Sequence, residues 1–98
     1  MSLPIVFRPI ARFELDEAMG WYEKQKTGLG IELKEAVDQM LTRLAETPDR
    51  FRPVRGQVRR ALLRRFPYAI HFLPEADAIV VLAVFHTKRD PSHLEGRG

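Results

Sequence analysis

The sequence predicts an α+β domain: a helical hairpin packed on one face of a mainly antiparallel four-stranded sheet, in the order β-α-α-β-β-β. Three observations carry the prediction. Apolar residues recur at helical spacing in two stripes, separated by Gly28-Leu29-Gly30. From Val58 onward the spacing shortens to the alternation of strands. Ala78 to His86 (AIVVLAVFH) is almost wholly apolar and rich in β-branched residues, the pattern of a central strand buried on both faces.

Taken in order, Leu3 to Phe7 is a short apolar run ended by Arg8-Pro9, and reads as a first strand. Pro9 suits a first helical position, where its fixed φ helps and its missing N–H costs nothing. Ala11, Leu15, Ala18 and Tyr22 then form the buried stripe of a helix whose Asp16 and Glu17 face outward, and Thr27-Gly28 stops it. Leu33, Val37, Met40 and Leu44 form a second stripe, closed by Pro48 because the residue before proline is pushed out of the α region. Residues 48–56, PDRFRPVRG, hold two prolines, a glycine and three arginines and are expected to be loop. Val58–Phe66 and Tyr68–Leu73 are expected strands, and Pro74 to Asp77 a turn before the apolar strand. The domain is expected to span residues 1–91, with 92–98 a polar tail.

At 98 residues the chain suits one domain with one modest core. Cysteine is absent, which excludes disulfides, thiol nucleophiles and cysteine–zinc sites. The first residues lack the apolar core of a signal peptide, and no apolar run approaches the roughly 20 residues that span a bilayer. A cytoplasmic protein without membrane contact is expected. The net charge of +3 hides an asymmetry: residues 1–49 carry six Lys/Arg against nine Asp/Glu, and residues 50–98 carry ten against four. Seven arginines fall in residues 50–65 with no acidic residue among them. Such a basic half favours an anionic partner, either nucleic acid or an acidic protein segment. His71, His86 and His93 are the side chains that titrate near neutrality. Their spacing has no HxxxH-type pair, so neither a metal site nor a cofactor is predicted.

Strand parity sorts the basic segment. Tyr68, Ile70 and Phe72 share one face and are expected in the core, while His71 lies on the opposite, more open face. On Val58–Phe66, Arg59 and Arg65 share a face with Ala61 and Leu63, whereas Arg60 and Arg64 alternate with Leu62 and Phe66.

This order, together with particular residues, resembles the ParE/RelE superfamily of toxins from type II toxin–antitoxin (plasmid stabilisation) modules. The carrying residues are Ala18-x-x-Trp21-Tyr22-Glu23, Gly28-Leu29-Gly30, Thr47-Pro48, Arg64-Arg65-Phe66-Pro67-Tyr68-x-Ile70-x-Phe72 and Ala83-Val84-x-His86-x-x-Arg89-Asp90-Pro91. The resemblance implies a toxin neutralised by an acidic antitoxin, as a homodimer or a heterotetramer with it. It implies one of two targets: DNA gyrase, inhibited by ParE-like members, or ribosome-bound mRNA, cleaved by RelE-like members. A domain that keeps only the antitoxin-binding groove is a third reading. Arg55, Arg59, Arg60, Arg64, Arg65, His71, Lys88, Arg89 and Trp21 are the expected contacts to target or antitoxin. Arg65 and His86 would be catalytic under the RelE-like reading alone. RNA-cleaving relatives usually carry catalytic tyrosine or histidine near the C-terminus; RDPSHLEGR supplies no tyrosine, and the gyrase-directed reading is preferred.

Overall fold

The computed structural model describes residues 3–89 together with Leu94, Gly96 and Arg97. His93 and the expected boundary between residues 91 and 92 lie outside the described residues. The elements are β1 (Ile5–Phe7), α1 (Pro9–Gln25), α2 (Leu29–Glu46), a 3-10 turn (Pro48–Arg50), β2 (Arg52–Arg55), β3 (Val58–Leu62), β4 (Tyr68–Pro74) and β5 (Ile79–His86). The strands form one sheet in the order β1-β5-β4-β3-β2, with β1 parallel to β5 and the other pairs antiparallel. Both helices cover one face, as predicted. Among the described residues, no helix is long and apolar enough to cross a membrane.

The sheet has five strands where four were expected. The extra one, β2, lies in the segment read as loop. Pro53 sits on an edge strand, where a missing N–H breaks no ladder bond. All four β2 residues are exposed, so no alternation of polarity marks the strand. Gly56, at φ +55°, opens the two-residue connection to β3, the place where tight hairpin turns need a residue tolerant of positive φ.

β3 also ends at Leu62 rather than at Phe66. Pro67 has no N–H to give, and the chain folds tightly as the Tyr68 N–H donates to the Phe66 carbonyl at 2.7 Å and the Leu63 N–H to the Tyr68 carbonyl at 3.0 Å. Leu63 and Phe66 turn inward to the core, leaving Arg64 and Arg65 exposed in the bend.

The main core fills the space between helices and sheet. Ala11, Leu15 and Ala18 of α1 and Leu33, Val37, Met40 and Leu44 of α2 meet Ile70, Phe72, Ile79, Val81 and Val84. The two sheet residues Val81 and Val84 share that face although they are three apart, because a bulge in β5 places His71 opposite Ala83 but Phe72 opposite Val81. Leu82 is the extra residue, and it joins Val58 and Val80 in a small cluster on the reverse face.

The hairpin between helices is held by a side chain. Gly28, at φ +90°, turns the chain into α2, and the Gly28 and Gly30 N–H groups donate to the two carboxylate oxygens of Glu23 at 2.9 and 3.1 Å. Glu23 thus satisfies N–H groups that a helix start leaves without partners, and its charge suits the positive end of the α2 dipole.

Candidate functional site

Two clefts flank the far end of β5. β1 stops at Phe7, so among the described residues no strand pairs with β5 on that side beyond Val81. Glu14 of α1 reaches this open edge. Its carboxylate accepts the Val84 N–H at 3.1 Å, the Arg89 guanidinium at 3.1 Å and the Arg97 guanidinium at 3.0 Å. Arg97 also donates to the Leu82 carbonyl at 3.4 Å. Glu14 is only 8% exposed, and two cations plus a backbone donor compensate its burial. Sequence reasoning missed it. Its position on the Ala11–Leu15–Ala18 stripe was the available signal, since a charge there must face inward.

The first cleft, of about 560 Å³, opens on the helix-free face of the sheet. Arg55, Arg60, Lys88 and Arg89 line it as cations, around a floor that includes Ala69, His71 and Phe85. Arg60 pairs directly with His71 across β3 and β4. The open, half-exposed position expected for His71 is corrected: it is 5% exposed, with its ring stacked on Phe85 at 4.8 Å. Leu94 packs with Phe85 and Ala83, so this face is covered where strand parity alone left it open. Burial, first, and the neighbouring Arg60 and Arg97 charges push the His71 pKa down to about 4, against an opposing pull from Glu14. His71 is therefore neutral at physiological pH.

The second cleft, of about 900 Å³, runs along α1 beside the open β5 edge. Ile10, Phe13 and Trp21 lie on one side of α1, a second apolar stripe distinct from the buried one, and are 43%, 60% and 56% exposed. Trp21 touches Tyr22 edge-on at 4.9 Å. Tyr22, Tyr68 and His86 continue as edge-on contacts at 6.0 and 5.5 Å. Tyr68 is thus half-buried at the rim of the core rather than inside it, and burial raises its pKa and that of Tyr22.

The remaining predicted residues scatter. Arg59 is tucked under the 3-10 turn, donating to the Phe51 carbonyl at 2.6 Å with Asp49 at 3.8 Å. Arg65 pairs with Glu32 of α2 at 2.6 Å and lies over Phe66. His86 accepts the Lys88 N–H on its Nδ1 at 3.1 Å and lines both clefts. Arg65 lines neither cleft, and its contacts and those of His86 share no residue. Among the described residues, no three histidine or acidic side chains gather as a metal site.

A two-helix hairpin on one face of a mixed sheet, with a basic cleft on the other face and an exposed apolar stripe on the first helix, defines a small α+β domain. Residues 5–91 match the family described as the ParE toxin of the type II toxin–antitoxin system, parDE, and the chain belongs to that family. It is thereby a type II toxin of the ParE/RelE superfamily.

Solved structures share the fold. The chromosomal ParDE toxin–antitoxin system from P. aeruginosa matches with a TM-score of 0.76 at 17% identity, covering 87% of this chain and 96% of that one. The toxin–antitoxin complex RelBE2 from Mycobacterium tuberculosis matches with a TM-score of 0.62 at 20% identity, covering 88% and 99%. No curated protein sequence matches the chain.

Proposed function

We propose that this toxin acts as a ParE-like inhibitor of DNA gyrase and is held inactive by an acidic antitoxin. The observation that carries the target is the ParE family match across residues 5–91, in a chain whose Arg65 and His86 are engaged separately. Cleaving RNA without a metal needs a base for the 2′-hydroxyl and an acid for the leaving oxygen, held on opposite sides of one phosphate. Arg65 is bound to Glu32 outside both clefts. The neutral, low-pKa His71 is a weak base and no acid at pH 7. Inhibition of gyrase asks instead for a binding surface.

The antitoxin reading rests on surface chemistry and on the two solved relatives, both toxin–antitoxin systems. The exposed Ile10, Phe13 and Trp21 stripe offers apolar anchors. The arginine-rich half offers charge for an acidic partner to neutralise. Expression in bacteria without antitoxin tests the reading. Growth arrest with loss of plasmid supercoiling is expected, relieved by co-expressing the product of a small adjacent gene. Unimpaired growth would leave a non-toxic binding domain. Arrest accompanied by mRNA cleavage that Arg65→Ala and His86→Ala abolish would establish the endonuclease.

A further inference from the structure

The exposed side of α1 carries more than its own fold uses. Ile10, Phe13, Glu17, Gly20, Trp21 and Lys24 are all exposed, and all line the cleft along α1. At 3.6 residues per turn they fall within an arc of about 100°, one continuous stripe beside the buried one. Gly20 sits mid-helix, where glycine is less favourable than alanine. Packing within the chain does not require it, since a Cβ there would meet nothing within 4 Å. A glycine in such a place suits the close approach of a group from outside. The stripe's two charges, Glu17 and Lys24, have opposite signs. Among the described residues neither has an ion-pair partner in its own chain.

We infer that this stripe fits a second copy of the same chain, with α1 antiparallel to α1 about a two-fold axis between Gly20 and Trp21. A two-fold interface requires that residue i meet j while j meets i. Glu17 and Lys24 lie seven residues, about 10.5 Å, apart along the helix, with Gly20 and Trp21 at the midpoint. Reversing one helix about that midpoint sets each Glu17 level with the other copy's Lys24. It also sets each Trp21 level with the other copy's Gly20, where a missing side chain leaves room for an indole. Phe13 and Ile10 extend the apolar contact toward the end of the other α1. A foreign acidic segment would gain from Lys24 but be repelled by Glu17; the balanced charge suits the chain's own copy. Six large apolar side chains, three from each copy, make a small interface, so pairing is expected at micromolar concentration. The inference concerns the free toxin and does not rest on its target. Self-pairing hides the stripe, so an antitoxin using the same apolar anchors must separate the pair.

Sedimentation equilibrium of the purified chain over about 1–500 µM should show a monomer–dimer equilibrium with a Kd of roughly 1–100 µM. Trp21 is the chain's single tryptophan, so its emission should move to shorter wavelength as the pair forms and the indole leaves water. Trp21→Ala should weaken pairing at least about tenfold. Charge reversal tests the register. Glu17→Lys alone and Lys24→Glu alone should each weaken pairing at least about fivefold, because both cross-axis pairs become like-charged. The chain carrying both reversals, and an equimolar mixture of the two single variants, should pair to within about twofold of the wild type, because opposite charges meet again. Both side chains are exposed, so these variants are expected to keep the fold, which circular dichroism checks. A monomer throughout the range overturns the inference and leaves the stripe to a foreign partner. A dimer that ignores the charge reversals, or one that forms with the Trp21 emission unmoved, places the contact elsewhere and overturns it as well.

Discussion

Two buried polar side chains, Glu14 and His71, shape the far end of the sheet. Glu14 closes an open strand edge by taking the Val84 N–H and two guanidinium groups, and so fixes Arg89 and Arg97 beside the clefts. His71 is kept neutral by burial and by Arg60. The consequence for stability has a definite sign. The unfolded chain protonates His71 near its ordinary pKa of 6.5, while the folded chain resists until about pH 4. Stability is therefore full above pH 6.5 and falls as pH drops toward 4, by an amount on the order of 3 kcal/mol across the whole window. Thermal melts between pH 7.5 and 5 should show a falling midpoint that His71→Gln largely flattens. An equal fall in the variant would show that other groups govern the acid limb. Parity placed His71 on the correct face from sequence, but not its burial, because Phe85 stacks on its ring and Leu94 packs against Phe85 through tertiary contacts.

The helices were legible because their apolar spacing, Pro9 and the glycines all point the same way. Ala11, Leu15, Ala18, Leu33, Val37, Met40 and Leu44 are buried as their spacing required. The β2 strand was not legible, since an exposed, arginine-rich edge with a proline has the composition of a loop. Nor was the β5 bulge: a continuous apolar run carries no alternation from which an extra residue can be read. Helix packing at the hairpin makes a sharp test of element geometry. A Cβ on Gly30 would meet the Met19 carbonyl oxygen at 2.6 Å, whereas one on Gly20 meets nothing within 4 Å. Gly30→Ala should cost about 1–3 kcal/mol by forcing α1 and α2 apart. Gly20→Ala, on the exposed side of α1, should stabilise by about 0.5–1 kcal/mol through helix propensity. Urea denaturation of both variants checks the pair, and similar midpoints would mean that the helices do not approach as closely as described.

For the whole molecule, the fold separates two surfaces. The apolar stripe of α1 lies on the helical side, and the basic cleft lies on the reverse side of the sheet. An antitoxin and a cellular target can therefore use different faces, or one extended antitoxin can cover both. The concentration of arginine in residues 50–65 was visible in the sequence, but its division was not. Arg59 buttresses the 3-10 turn, Arg65 ties the β3–β4 bend to α2, and Arg60 faces the cleft. Composition reports how many cations a segment has; only the bend after Leu62 and the pairing of β3 with β4 decide where each one goes. The separate engagement of Arg65 and His86 adds to the missing C-terminal tyrosine in support of the proposed inhibition over catalysis. The direct measurement is a supercoiling assay with purified toxin, DNA gyrase, ATP and relaxed plasmid. Supercoiled product should disappear as toxin is added and return when the cognate antitoxin is supplied; full supercoiling at a large molar excess of toxin would contradict the gyrase assignment.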